Sequence, residues 1–205
     1  MDHFPSRRDY GLAFFGGALI VLFLSVVVKN AAVPLFLPAW FWALAIPAGA
    51  LCGVWFGGFL AARVRPVFAQ FAKFAVAGLL NYSVDLGILN SLILVTGNTS
   101  DFALVGFRVV SAAMAVSNSF GWNRWWTFAK PQEDRGSIAS EYIKFIMASA
   151  LGIAVNFGIY YIVVILIGPL GGLSIERWVN VGAVAGSLVG FMFNFLSYKK
   201  FVFKA

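Results

Sequence analysis

"FAKFAVAGLLNYSVDLGILNSLILV" (residues 71–95) is an apolar run that carries a carboxylate, Asp85, at its centre, with Asn81 and Asn90 on either side. The solvent around such a helix follows from the composition of the whole chain. Of 205 residues 61% are hydrophobic and 11% charged, whereas a soluble domain carries about 25% charged residues. The chain reads as an integral membrane protein.

A bilayer is crossed by about 20 mostly apolar residues in a helix. Six runs qualify: 10–28, 39–62, 71–95, 103–123, 142–167 and 178–197. The expected fold is all-α, a polytopic membrane protein of six transmembrane helices with short connections. Lys and Arg near span ends stay on the cytoplasmic side. With the N-terminus inside, Arg7, Arg8, Arg63, Arg65, Lys73, Arg124, Lys130, Arg135, Lys144, Lys199, Lys200 and Lys204 are cytoplasmic, and only Lys29, Arg108 and Arg177 fall elsewhere. That bias predicts both termini in the cytoplasm. Trp favours the headgroup level, which suits Trp40, Trp42 and Trp178 at outer ends and Trp122, Trp125 and Trp126 at an inner end; Trp55 is the exception.

The opening "SRRDYGL" before an apolar run also has the form of a twin-arginine secretion signal, but that run is long for a signal core and no small-x-small site follows cleanly. A retained first span is expected. Cys52, the single cysteine, lies in the second span, which excludes an intrachain disulfide or thiolate metal site. His3 reads as a solvated tail residue. The carboxylates are Asp2, Asp9, Asp85, Asp101, Glu133, Asp134, Glu141 and Glu176. A lipid-active enzyme needs several acids or a histidine gathered at one membrane face. Glu133 and Asp134 adjoin, but in the polar loop "KPQEDRG" (130–136), which reads as solvated. No enzyme activity, metal or cofactor is expected, and no phosphate-cradling glycine loop offers an ATP site.

The stretch beginning at Lys73 recurs. "KFAVAGLLNYSVDLGI" aligns with "KFIMASALGIAVNFGI" from Lys144, pairing Phe74 with Phe145 and Asp85 with Asn156. "SFGWNRWWTF" (119–128) aligns with "NFLSYKKFVF" (194–203), pairing Arg124 with Lys199, Trp126 with Phe201 and Phe128 with Phe203. Each repeat holds two spans, so the copies share one orientation. The expected organisation is an N-terminal helix pair over 1–70 and a four-helix domain over 71–205, with repeats 71–130 and 142–205.

A leading Lys-Phe, "VDLG" in the first span and "NRWWTF" at the end of the second, echoed by "YKKFVF" at the C-terminus, resemble the GtrA-like family of small membrane proteins. The resemblance covers about residues 71–205. It implies movement of a polyprenyl-phosphate-linked sugar across the bacterial inner membrane, where the sugar decorates O-antigen, teichoic acid or other envelope glycans. The second copy departs from the motif at Tyr198, Lys199 and Val202.

Depth along the helices joins the two charges of the repeat. Asp85 lies 12 residues past Lys73, about 18 Å of rise, and Arg108 lies 16 residues before Arg124, about 24 Å. Burying either charge alone costs at least ~2.5 kcal/mol, so the two are expected to pair. Such a pair either fixes helix register or handles substrate. Gly78, Asn81 and Asp85 share one face, as do Arg108, Ser111, Ala115 and Asn118. Spans five and six repeat the pattern with Ser149, Gly152, Asn156 and Tyr160, and with Asn180, Ser187 and Asn194. Converging, these four stripes would line a hydrophilic groove for a sugar; interhelical hydrogen bonding is the alternative. Gly182, Gly186 and Gly190 suit close helix packing. The basic-aromatic exits, with Lys73, Asn123, Arg124, Trp126, Lys144, Lys199 and Lys200, read either as interfacial anchors or as docking places for a lipid phosphate.

The expected partners are a polyprenyl-phosphate sugar lipid, membrane lipids, a membrane glycosyltransferase and a second copy of the chain. Nucleic acid is not among them, since the basic residues abut the bilayer. Two functions contend: a transporter, or flippase, of a lipid-linked monosaccharide, and a non-catalytic scaffold for a glycosyltransferase. A small cation-drug exporter is disfavoured because it wants an unpaired membrane carboxylate.

Overall fold

Six long helices take up the six apolar runs: α1 (Arg7–Ala31), α2 (Ala39–Arg63), α3 (Val67–Thr96), α4 (Asp101–Trp122), α5 (Ile138–Tyr161) and α6 (Ile175–Ser197). The computed structural model describes residues 4–32, 34–131 and 136–204, and for Glu176 the backbone alone. Among the described residues there is no strand. Four helices match or outreach their expected spans, while α4 and α5 stop short of theirs and the remainder is π-helical. Ser6 and Asp9 form a reciprocal capping box at the start of α1, a Ser-x-x-Asp spacing within "SRRD". At the far end of α3 the left-handed Gly97 (φ 62°) sends its N–H back to the Ile93 carbonyl. His3, Glu133 and Asp134, all expected to be solvated, and the side chain of Glu176 lie outside the described residues.

Three helices end in π-helical turns, which the apolar pattern does not announce: Asn123–Thr127 after α4, Ile162–Ile167 after α5 and Tyr198–Val202 after α6. Two of these are the exits of the repeat, and their geometry matches. Phe128 donates its N–H to the Asn123 carbonyl and Phe203 donates to Tyr198, each at 2.8 Å. The ring of Phe74 sits 6.2 Å from Phe128 at 51°, and that of Phe145 sits 6.3 Å from Phe203, also at 51°. The leading Lys-Phe of each copy thus places its phenyl ring against the last phenylalanine of the same copy. The repeat read from sequence is a repeat of packing.

The chain divides into two compact units, Met1–Ala129 and Lys130–Ala205. The first holds α1–α4, with α3 packed on all three of the other helices, so the N-terminal pair shares a core with the first repeat. Ala13, Ala50, Val54, Val76 and Trp126 form one buried cluster, and Ile20, Leu80, Val84 and Ala115 another. In lipid the hydrophobic effect does not drive helices together, so close van der Waals approach matters more. Gly17 lets α1 lie on Pro47 of α2, where an added Cβ would stand 2.5 Å from the proline Cα. Gly57 is in similar contact with Ala72 of α3.

The second unit is the antiparallel pair α5 and α6. The glycine stripe of α6 faces α5: Gly182 meets Val164, a Cβ on Gly186 would stand 2.6 Å from the Asn156 carbonyl oxygen, and one on Gly190 3.0 Å from the Gly152 carbonyl oxygen. The packing role expected of this stripe is therefore observed.

Candidate substrate site

Asp85 sits midway along α3, and α4 supplies two donors to it. Arg108 Nη1 lies 2.6 Å from Oδ2 and Ser111 Oγ donates to Oδ1 at 2.8 Å. The pair expected from matched depth is formed, with the serine as a third member. Ser111 is fully buried. The two charges differ in access, since the Asp85 side chain is 16% exposed and that of Arg108 55%. The carboxylate is shielded while more than half of the arginine side chain is open. With five N–H donors in a fixed fork, Arg108 can hold Asp85 and still present hydrogens to an anion. Asn90 has a different task, accepting from Asn30 of α1 at 2.7 Å and so tying two helices together. The Asn81 side-chain oxygen is buried with no hydrogen-bond partner.

The equivalent place in the second copy is built otherwise. Asn156 stands for Asp85, Ala183 for Arg108 and Gly186 for Ser111. Asn156 Nδ2 reaches Ser187 Oγ at 3.4 Å, a long contact, while Gly186 lies directly against it. Ser149 pairs with the Tyr198 hydroxyl at 2.6 Å. Tyr160 packs near Gly182, and Asn180 is exposed. Asn194 lies in close contact with Gly152, its side-chain oxygen buried without a hydrogen-bond partner. Of the ten residues expected to line a groove, the first unit brings Asp85, Arg108 and Ser111 together. The second brings Asn156 beside Ser187. Asn118 turns instead toward α1.

The first exit is largely buried within the protein. Asn123, Arg124, Trp126 and Thr127 are all buried in the π turn, and Asn123 Nδ2 donates to the Ser119 carbonyl. Trp126 is part of the core, with its indole N–H on Asp9 Oδ1 at 3.0 Å. Trp178, also expected at the interface, is buried and donates to the Val163 carbonyl. Lys73 lies 2.5 Å from the same Asp9 oxygen. Lys144 and Lys200 are exposed, and Lys199 is half-buried. Sequence reading named Asp9 only among the carboxylates and Arg8 only among the cations. In the structure Asp9 joins α1 to both ends of the first repeat, and Arg8 Nη2 donates to the Trp125 carbonyl at 3.0 Å. The Ser-x-x-Asp capping spacing was the one local sign that Asp9 is held in place.

Six helices long and apolar enough to cross a bilayer, two of them in each copy of an internal repeat, define a multi-pass membrane protein with an ion pair inside its spanning segments. More particularly, the chain belongs to the GtrA/DPMS transmembrane-domain family, whose model matches residues 73–203. It is also 33% identical over 97 residues to dolichol-phosphate mannosyltransferase of Pyrococcus furiosus, a match covering 47% of this chain and 26% of that protein. The chain thus aligns with about a quarter of that relative's length. These similarities make it a membrane protein of that family. The first two helices lie outside the family match.

Proposed function

We propose that the chain is a non-enzymatic flippase that moves a polyprenyl-phosphate-linked monosaccharide across the bacterial inner membrane to supply glycosylation of cell-envelope polysaccharide. The observation that carries this reading is the half-exposed Arg108 whose counter-ion is shielded. A guanidinium so held meets a phosphate bidentately, while Asp85 and Ser111 offer an acceptor and a hydroxyl to sugar hydroxyls. The prenyl chain stays in the hydrocarbon. Flow is downhill, drawn by consumption of the sugar on the outer face. The excess of Lys and Arg at one set of span ends supports cytoplasmic termini; single cysteines at Asn98 and Pro131 should then label from opposite sides, Asn98 from outside.

A second reading, a membrane scaffold for a separate glycosyltransferase, is favoured by the relative named as a transferase, about a quarter of which is matched. Vesicles that contain only this protein distinguish the two. A flippase translocates lipid-linked sugar in them and a scaffold does not. Within the first reading, exchanging the charges (Asp85→Arg with Arg108→Asp) should leave the protein folded but stop translocation, because carboxylate and guanidinium have traded places. Full activity in the exchanged protein would reduce the pair to architecture.

A further inference from the structure

At the end of the first unit where α1 begins and α4 terminates, an open recess of about 340 Å³ lies between these two helices. It is more than twice the ~150 Å³ apolar cavity that takes a benzene molecule. Its walls are aromatic: Phe15 stacks on Trp122 (6.4 Å, 26°), and Trp122 meets Trp126 edge-on at 5.4 Å. Two polar side chains line it, Arg8 and Asn118. Arg8 is held over the recess by its bond to the Trp125 carbonyl and, among the described residues, has no carboxylate partner. Asn118 lines the recess, and its side-chain nitrogen is buried without a hydrogen-bond partner. A cation without a carboxylate partner, in a recess lined by no acid and beside an amide nitrogen still lacking an acceptor, favours an anion.

The direction of the recess selects a lipid. Phe15 lies seven residues beyond Arg8, about 10 Å along the helix, and is 54% exposed. An anionic head at Arg8 would therefore carry its chain down past Phe15 into the hydrocarbon. An exposed aromatic ring beside the recess gives a free phosphate nothing to contact. We infer that α1, a helix outside the family match, completes a binding site in which Arg8 and Asn118 hold the phosphate of a polyprenyl phosphate while Phe15 and Trp122 flank its first isoprene units. The inference rests on the polyprenyl-phosphate reading proposed above and assigns it a second contact point, separate from Asp85 and Arg108.

The test is binding of polyprenyl monophosphate, phosphatidylglycerol and inorganic phosphate to the full chain in detergent, read by native mass spectrometry, with thermal melting to confirm folding. Arg8→Gln should weaken polyprenyl-phosphate binding about fivefold, which is the ~1 kcal/mol supplied by one basic residue near an anionic lipid converted at 1.4 kcal/mol per decade. Phe15→Ala and Asn118→Ala should weaken it as well, Arg8→Lys should retain most of it, and Arg7→Gln should leave it unchanged. Equal losses from Arg7→Gln and Arg8→Gln would overturn the site in favour of diffuse charge, and equal affinity for phosphatidylglycerol or inorganic phosphate would overturn its prenyl character. If the wild-type chain binds polyprenyl phosphate and the Arg8, Phe15 and Asn118 variants bind it equally well, the site is wrong and the proposed function stands. A wild-type chain that binds none of the three probes removes both.

Discussion

The two copies of the repeat share a frame and differ at its centre. Both close the same end with a phenylalanine pair at nearly identical distance and angle and with a π turn sealed by one hydrogen bond. Midway along, the first copy holds Asp85, Arg108 and Ser111 in a charged network, where the second has Asn156 under Gly186 with Ala183 alongside. The second pair of helices packs through close glycine contact with no charge at that level. An intramembrane ion pair is therefore not a requirement of this helix hairpin, and its presence in the first copy calls for an explanation beyond holding α3 to α4. That contrast is why the charged pair, rather than the repeated frame, is the centre of the proposed mechanism.

If the frame is common to both copies, Phe74→Ala and Phe145→Ala should each cost about 3 kcal/mol, the lower range for a buried phenylalanine. Both rings are buried, so the two losses should agree within the error of denaturation in detergent; a neutral Phe145→Ala would mean that only the first copy depends on the ring pair. The centres should respond unequally. Asp85→Ala leaves Arg108 without its counter-ion and should cost about 2.5 kcal/mol, whereas Asn156→Ala loses one long contact and should cost about 0.6 kcal/mol. Equal costs would erase the distinction between a charged and an uncharged hairpin. Two further substitutions separate the two packing modes. Gly186→Ser places a Cβ against the Asn156 carbonyl and should cost about 2 kcal/mol by overpacking, while the converse change Ser111→Gly removes a hydrogen bond worth about 1 kcal/mol. A stabilised Gly186→Ser would show that the second hairpin can take up the polar arrangement of the first.

Composition and hydropathy gave all six helices, because a run that must satisfy its own backbone in lipid has little choice but to be a helix. Matched depth was enough to pair Asp85 with Arg108, since an antiparallel hairpin converts residue counts into height. The same reasoning was silent on lateral direction. It placed Trp126 and Trp178 at the correct kind of position, a helix end, but the preference of tryptophan for the interface says nothing about which way the ring points. Both rings point inward and give their N–H groups to protein oxygens. The exit motif was read as charge presented to a headgroup. In the first copy Arg124 is instead buried beside the Trp125 ring, 5.7 Å from its centre. No residue pattern announces a π turn. Likewise the recess at Arg8 could not be read from sequence, since its two walls are more than a hundred positions apart.

The Asp9 clasp also sets an order of events during synthesis. Its two side-chain partners from other helices lie far downstream, Lys73 on the third helix and Trp126 just beyond the fourth, 117 residues after Asp9. At about 5–20 residues per second, the ribosome needs roughly 6 to 23 seconds to travel from one end of that bond to the other. Through that interval the first helix has its capping serine but not its indole. The N-terminal pair joins the first hairpin in full only once the fourth helix is complete, so a nascent chain halted before Trp126 has the Lys73 and Asn90 ties to its first helix but lacks the indole bond.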